Sequence, residues 1–217
     1  MRLLGAIAAA LALVAAAPAT DWTHRVTQTP QGAFVLGNPA AKQRLVEYVS
    51  YTCPHCAHFT NEAAATLRQK YVANGSTAIE VRHAVRDPID FAATLLARCT
   101  GPTRFFAVHE KLFATQESWF EAGAKYIDDN REALNKLPQG QQLQMLAKGA
   151  GLPAVVGLSE AQANACIANA AAQKPVLAMT TEAWEQRKIA GTPYFLVNGQ
   201  GIDNTASWAA LQPHLKN

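Results

Sequence analysis

Val46-Glu47-Tyr48-Val49-Ser50-Tyr51-Thr52-Cys53-Pro54-His55-Cys56-Ala57-His58-Phe59 is the stretch on which the fold of this chain turns. From Leu45 to Tyr51 large apolar side chains occupy both alternating faces, the pattern of a central strand covered on two sides. A helix is predicted next, from about Pro54 to Tyr71, so Cys53 and Cys56 fall where a buried strand gives way to a helix. Asn74-Gly75 breaks that helix, and Ala78 to Val85 reads as a second strand. The two strands are close enough in sequence to form a strand-helix-strand unit with parallel pairing.

The position of the cysteines carries their chemistry. A residue at a helix start faces backbone N–H groups that have no intrahelical partner, together with the positive end of the helix dipole. Cys53, at or near the N-cap, is therefore expected to be exposed and acidic. Cys56 lies three residues on, on the face shared with Phe59, Ala63 and Leu67, and is expected to be covered, so that one sulfur attacks and the other resolves. Two plainer readings exist. Zinc would want a second ligand pair at matching spacing, whereas Cys99 and Cys166 are single and far apart, and His55 and His58 put ligands on opposing sides of one turn. A purely structural bond closing so short a loop would remove little chain entropy.

Beyond the second strand the periodicity turns helical. Asp87-Pro88 looks like an N-cap followed by proline at the first helical position. Ile89, Ala92, Ala93, Leu96 and Cys99 share one face, and Phe105, His109, Leu112 and Phe113 mark the next amphipathic segment. Ser159 and Gln162 form a capping-box pattern. Pro175 is expected to divide that segment from a last long helix through Trp184. Tyr194 to Val197 returns to strand character, Asn198-Gly199 is a hairpin signal, and Ser207 to Leu215 closes the chain as a short helix. No internal repeat or low-complexity linker interrupts this order.

The composition is that of an ordinary globular protein: 217 residues, 49% hydrophobic and 16% charged, with a formal net charge of +3. Collagen, coiled coil and a multi-pass membrane protein are excluded, and with no stretch of stacked basic residues nothing points to nucleic acid. Met1 and Arg2 form a short positive start, Leu3 to Ala17 is an uncharged apolar run, and Ala17-Pro18-Ala19 supplies the small-x-small pattern of a signal peptidase site. Residues 1–19 are accordingly expected to be a signal peptide cleaved after Ala19. The run is shorter than the roughly 20 residues a spanning helix needs, which argues against an uncleaved anchor. An exported chain meets a compartment, here the periplasm, in which disulfides persist.

The quoted stretch, followed by a helical region and then by Gly191-Thr192-Pro193-Tyr194-Phe195-Leu196-Val197-Asn198-Gly199, resembles the DsbA-like thiol:disulfide oxidoreductases of the thioredoxin superfamily. The likeness covers nearly all of the chain after residue 19. It implies an α/β thioredoxin fold with an inserted all-helical domain: residues 20–86 and 175–217 the thioredoxin-like domain, 87–174 the insertion. It also implies that Cys53 is the nucleophile, Cys56 the buried resolving cysteine, Pro54 and His55 the variable dipeptide, and Pro193 a cis-proline that leaves the backbone of Thr192 free to pair with an extended substrate strand. No cofactor or metal is implied.

Other residues are weighed against this resemblance. Glu47 sits among apolar neighbours, where a carboxylate is costly unless paired or protonated. It either reaches solvent or Arg44, or is similar to the family's buried acid and accepts the Cys56 proton. His55 is either an exposed ring without a role or a group whose N–H or positive form lowers the Cys53 pKa. Pro-His between the cysteines resembles the oxidising branch of the family. Threonine before the cis-proline, in place of valine, resembles isomerases and reductases. With Cys53 and Cys56 taken by the motif, Cys99 and Cys166 either pair, similar to alphaproteobacterial members with a second cysteine pair, or pack as two buried thiols. His24, His83, His109 and His214 are read as packing or surface groups, and Trp119, Trp184 and Trp208 as core.

The resulting expectation is a monomeric periplasmic dithiol oxidase that donates its Cys53–Cys56 disulfide to reduced exported proteins. The resemblance implies a membrane partner that reoxidises it and passes electrons to quinone. The alternatives are a disulfide reductase or isomerase of the same fold, and a non-catalytic peptide-binding chaperone.

Overall fold

The computed structural model describes residues 20–216; the expected signal peptide, Met1 to Ala19, lies outside the described residues. A six-stranded sheet has the order β1-β2-β4-β3-β5-β6, formed by β1 (Val26–Gln28), β2 (Phe34–Leu36), β3 (Gln43–Val49), β4 (Thr77–His83), β5 (Tyr194–Val197) and β6 (Gln200–Ile202). β3 and β4 run parallel and every other neighbouring pair is antiparallel. The parallel pair is joined by α1 (Pro54–Thr66), which continues as a π-helical segment, Leu67–Val72.

β3 lies between β4 and β5 with only Arg44 not fully buried, which is why both of its faces are apolar. Leu45 and Val49 join the large core beneath α1 and the helical insertion, while Val46 and Tyr48 join a smaller core with Ala84, Ala183, Ile189 and Leu196 on the other face.

Two strands precede the one expected to be first. β1 and β2 are three residues each, too short for an alternation to emerge. Gly32, in the turn between them, has φ +91, and a Cβ there would meet that of Pro175 at 2.8 Å, so the turn and its close contact both require glycine.

Between β4 and β5 lie α2 (Pro88–Cys99), α3 (Pro102–Ala114), α4 (Gln116–Leu134), α5 (Gln139–Gly149), α6 (Leu152–Val156), α7 (Glu160–Ala168) and α8 (Ala170–Thr181), which runs into a π-helical turn, Glu182–Gln186. Asp87 caps α2 by accepting from the Asp90 N–H, and Ser159 and Gln162 form the expected capping box. Pro175, expected to break the chain between two helices, lies inside α8. The break falls instead at Asn169, whose extended backbone ends α7 and whose side chain accepts from the N–H groups of Ala171 and Ala172. The boundary drawn at residues 174 and 175 therefore runs through a helix, and α8 leaves the insertion to reach the second face of the sheet.

After β5, Asn198 and Gly199 adopt the positive φ of a two-residue hairpin turn. α9 (Trp208–Leu211) and a 3-10 turn, Gln212–His214, close the described chain. Of the tryptophans only Trp119 is fully buried; Trp184 and Trp208 pack at the edges of the two cores.

Cys99, at the end of α2, and Cys166, in α7, are bonded across a sequence separation of 67. In the chain-entropy picture a loop of that length contributes on the order of 4 kcal/mol. The Cys99→Ala/Cys166→Ala double variant is therefore expected to unfold at distinctly lower denaturant concentration, by up to about 4 kcal/mol. An unchanged midpoint in guanidinium titration would show that this bond contributes nothing.

Candidate active site

The site is built on the turn from β3 into α1. Cys53 is the N-cap of α1, with an extended backbone (φ −87, ψ 118), and Pro54 occupies the first turn. The loop Ser50 to Cys53 is closed by the Cys53 N–H donating to the Ser50 carbonyl at 3.1 Å. Neighbouring helices hold it from outside. Tyr51 N–H donates to Asp90 Oδ1 at 2.7 Å and the Thr52 hydroxyl to Asp87 Oδ2 at 2.5 Å, both on or beside α2. Gln116, at the start of α4, donates through Nε2 to the carbonyls of Tyr51 (2.7 Å) and Cys53 (2.9 Å). Burial raises Asp90 to about 7 against the hydrogen bonds from Ser50, Tyr51 and Arg86 that favour its charge.

Cys53 and Cys56 are both free thiols and both buried. The expectation that Cys53 is exposed is corrected: it is 1% exposed, because the Thr192–Pro193 loop, whose peptide bond is cis, lies over it. As a neutral thiol Cys53 donates to the Thr192 carbonyl at 3.1 Å. As an anion it is held by donors. The Cys56 thiol is the strongest, followed, against the cost of burial, by the Thr192 hydroxyl and the backbone N–H groups of Cys56 and His55; together they lower Cys53 from 9.0 to about 5. Beside the neutral thiol the buried Thr192 hydroxyl has no hydrogen-bond partner. Burial first, then hydrogen bonding to Cys53, pushes Cys56 well above its ordinary value. The two sulfurs differ in acidity as the helix position implied, although not in exposure.

His55 and Pro54 stand exposed at the head of α1, and it is the backbone N–H of His55 that bears on the Cys53 sulfur. Glu47 lies behind Cys56 on the same side of the sheet, 4% exposed, with Oε1 unpartnered. It does not reach Arg44, whose guanidinium pairs with Glu80 at 3.3 Å. Burial raises Glu47 to about 8, and its charge adds to the rise at Cys56. Pro193 is buried beside the cysteines, and Thr192 is half-buried.

The described part of the chain from residue 29 onward, and the final residue, match the family model described as thioredoxin, over residues 29–217. The chain belongs to the thioredoxin family. Within it, the solved protein-disulfide isomerase of Novosphingobium aromaticivorans is 38% identical, with a TM-score of 0.76, covering 83% of this chain and 93% of that one. The alpha-DsbA1 of Wolbachia pipientis shares the fold at 22% identity, with a TM-score of 0.60 and coverage of 78% and 76%. A Rickettsia bellii relative named as a protein-disulfide oxidoreductase is 28% identical over 183 residues, 84% of this chain and 63% of its own length. The chain thus spans less than two thirds of the curated relatives it matches. The disulfide pairing of Cys99 with Cys166 and the position of Thr192 over Cys53 stand in a thioredoxin fold of DsbA-like type.

Asp87 was legible only as a helix-capping residue, and Asp90 and Gln116 carried no signal at all, since their roles depend on where α2 and α4 lie in space. His83 and His109 are buried packing groups, as expected; burial lowers His109 to about 3, and its Nδ1 lies 3.0 Å from the Tyr51 hydroxyl. His24 and His214 are exposed. Among the described residues no cluster of three or more His, Cys, Asp or Glu side chains is placed to hold a metal ion.

Truncating Gln116 leaves two carbonyls of the loop without their donor. Gln116→Ala is expected to cost about 1–3 kcal/mol in urea unfolding; a loss indistinguishable from zero would mean that water replaces the amide fully.

Proposed function

We propose that this protein is a thiol:disulfide oxidoreductase working as a dithiol oxidase on reduced exported proteins. The observation that carries the reading is the unequal pair at the head of α1: Cys53 lowered to about 5 and Cys56 raised. Ionisation stabilises only the dithiol form. At pH 7 a thiol of pKa about 5 lowers the free energy of that form by about 2.7 kcal/mol relative to an ordinary one, equivalent to about 60 mV of oxidising potential.

In the forward reaction a substrate thiolate attacks Cys53 Sγ of the Cys53–Cys56 disulfide. The bond between the two cysteines breaks, and a substrate–Cys53 bond forms. Cys56, a poor leaving group as a bare thiolate, takes the proton of Glu47. A second substrate thiolate then attacks the substrate sulfur of the mixed disulfide and expels Cys53 as its stabilised thiolate. The substrate is oxidised by two electrons and the pair is reduced. Reoxidation runs the same steps backwards, with Glu47 accepting the Cys56 proton. The Thr192 backbone lies where an extended substrate segment passing the sulfur would pair with it.

The positive start, apolar run and Ala17-Pro18-Ala19 pattern support periplasmic work after cleavage at Ala19. By resemblance the reoxidising partner is a membrane protein passing electrons to quinone, and the enzyme is monomeric. A second reading, isomerase or reductase, is favoured by Thr192 before the cis-proline and by the name of the 38% identical relative, a protein-disulfide isomerase.

Cys53→Ala is expected to abolish disulfide formation in a reduced, unfolded substrate. Cys56→Ala, offered a substrate that is itself disulfide-bonded, is expected to attack it through Cys53 and accumulate the mixed disulfide on non-reducing gels. Oxidase turnover retained in Cys53→Ala would refute the assignment.

The pH dependence has a defined sign. Reduction of the protein by glutathione releases one proton wherever Cys53 is ionised and glutathione is not. The equilibrium constant should therefore rise about tenfold per pH unit above pH 5, as measured by tryptophan fluorescence or alkylation in glutathione buffers. A flat profile between pH 6 and about 8 would contradict the ionised pair. A potential close to that of thioredoxin, about −270 mV, would favour the reductase reading.

A further inference from the structure

Positive charge gathers at the end of the sheet opposite the cysteines. β3 runs from Gln43 at that end toward the Cys53 loop, and the strand registers bring Arg25, just before β1, and Lys42, just before β3, to the same end. The helix that begins after Cys53 finishes there, with Lys70 in its π-helical last turns. The described chain closes there too: Gln43 Nε2 donates to the His214 carbonyl at 3.4 Å, and Gln43 Oε1 accepts from the Lys216 N–H at 3.0 Å. Arg25, Lys42, Lys70 and Lys216 are all exposed. Among the described residues none of the four pairs with a carboxylate. The acids near this end are already engaged, Asp21 with Thr23 and His24, and Glu110 with Arg68. In a chain whose formal net charge is only +3, this is an uneven distribution.

An open groove of about 860 Å³ crosses this end, lined by Lys42, His214 and Lys216 together with Asn38, Asn198 and Gln200. Among the described residues no Asp or Glu lines it. Ammonium groups and amide donors without a carboxylate suit an oxyanion. Two features choose its source. Arg25 and Lys70 lie outside the groove, so a small anion seated in it leaves them idle, whereas a surface carrying many phosphates engages all four cations at once. The chain also enters the fold here: a Cβ on Gly75 would meet the Trp22 indole nitrogen at 3.0 Å, so Thr20 to Trp22, which follow the apolar run Leu3 to Ala17 in sequence, start at this end. A leader entering a bilayer brings this end to the lipid.

We propose that this end docks on an anionic phospholipid surface, with lipid phosphates in the groove on Lys42 and Lys216 and neighbouring headgroups on Arg25 and Lys70. Each Lys or Arg close to such a surface strengthens binding roughly fivefold, and the attraction fades within a Debye length, about 8 Å at physiological salt. The seven residues of β3, at about 3.3 Å each, set the Cys53 loop roughly 20 Å or more from the lipid. The Cys53–Thr192 face is then turned to the water, open to protein thiols. Docking and thiol chemistry occupy opposite ends of the sheet, so either can fail without the other.

The test is co-sedimentation with vesicles of phosphatidylglycerol and phosphatidylcholine in equal parts. The protein is the chain from Thr20 onward, the form that cleavage after Ala19 leaves, because the apolar leader would bind lipid by itself. Binding is expected at low salt, weakens steadily as salt rises and is absent on pure phosphatidylcholine. Lys42→Gln/Lys216→Gln is expected to weaken it about 25-fold. Lys136→Gln/Lys174→Gln removes the same charge from exposed positions between β4 and β5 and is expected to change it by less than about twofold. Oxidation of a soluble reduced peptide stays the same in both pairs of variants, which keeps this surface separate from the redox assignment. Three results overturn the proposal. One is no salt-dependent binding to the anionic vesicles. Another is an equal loss in the two double variants, since binding then follows net charge and not this end. The third is displacement by soluble glycerol phosphate at the same phosphate concentration, which makes the groove a small-anion site.

Discussion

An anionic sulfur at the start of a helix organises this molecule. Cys53 occupies the N-cap of α1, where the N–H groups of the first turn lack intrahelical partners, and its anion is favoured by the Cys56 thiol, the Thr192 hydroxyl and the backbone of Cys56 and His55. Each donor favours the ionised over the neutral or disulfide-bonded sulfur. The same arrangement that makes Cys53 a good leaving group makes Cys56 a poor one, because Cys56 is buried and donates its proton toward its neighbour. In the proposed reaction Cys56, as the resolving thiol with a raised pKa, needs somewhere to put its proton, and the carboxyl buried behind it is that of Glu47.

The helical insertion is part of this site rather than an appendage to it. Asp87 and Asp90 grip Tyr51 and Thr52 from one side and Gln116 grips the carbonyls of Tyr51 and Cys53 from another. On the opposite face of the sheet, Arg82 binds Glu182 at 2.8 Å and Tyr48 donates to Glu182 at 2.9 Å. The Trp184 indole donates to the Val85 carbonyl at 3.0 Å. These contacts fix the π-helical turn from which the chain runs to Thr192 and Pro193. Both walls of the site, the cysteine loop and the cis-proline loop, are therefore set by elements anchored to β3 and β4.

What could be read in the sequence was what depends on near neighbours. The two-faced apolar run of β3, the cysteines at the strand-to-helix junction, the Asp87 and Ser159 caps and the Asn198-Gly199 turn are local patterns, and each appears in the structure. What depends on distant packing was not legible. The short β1 and β2 are defined by pairing with each other and with β4. The helix through Pro175 is set by the Asn169 cap and by the contact with Gly32. The burial of Cys53 comes from a loop 139 residues further along the chain. Gln116 takes on its role only once α4 is in place, so no spacing could announce it.

The most direct test of the central claim is the ultraviolet titration of the reduced protein at 240 nm, where a thiolate absorbs and a thiol does not, with a Cys53→Ser variant as the baseline. A single transition that vanishes in the variant and has its midpoint near pH 5 is the expected result. A midpoint near 9, the ordinary value for a cysteine, would mean that the helix start and its donors do not hold an anion, and the account of the site would fail with it.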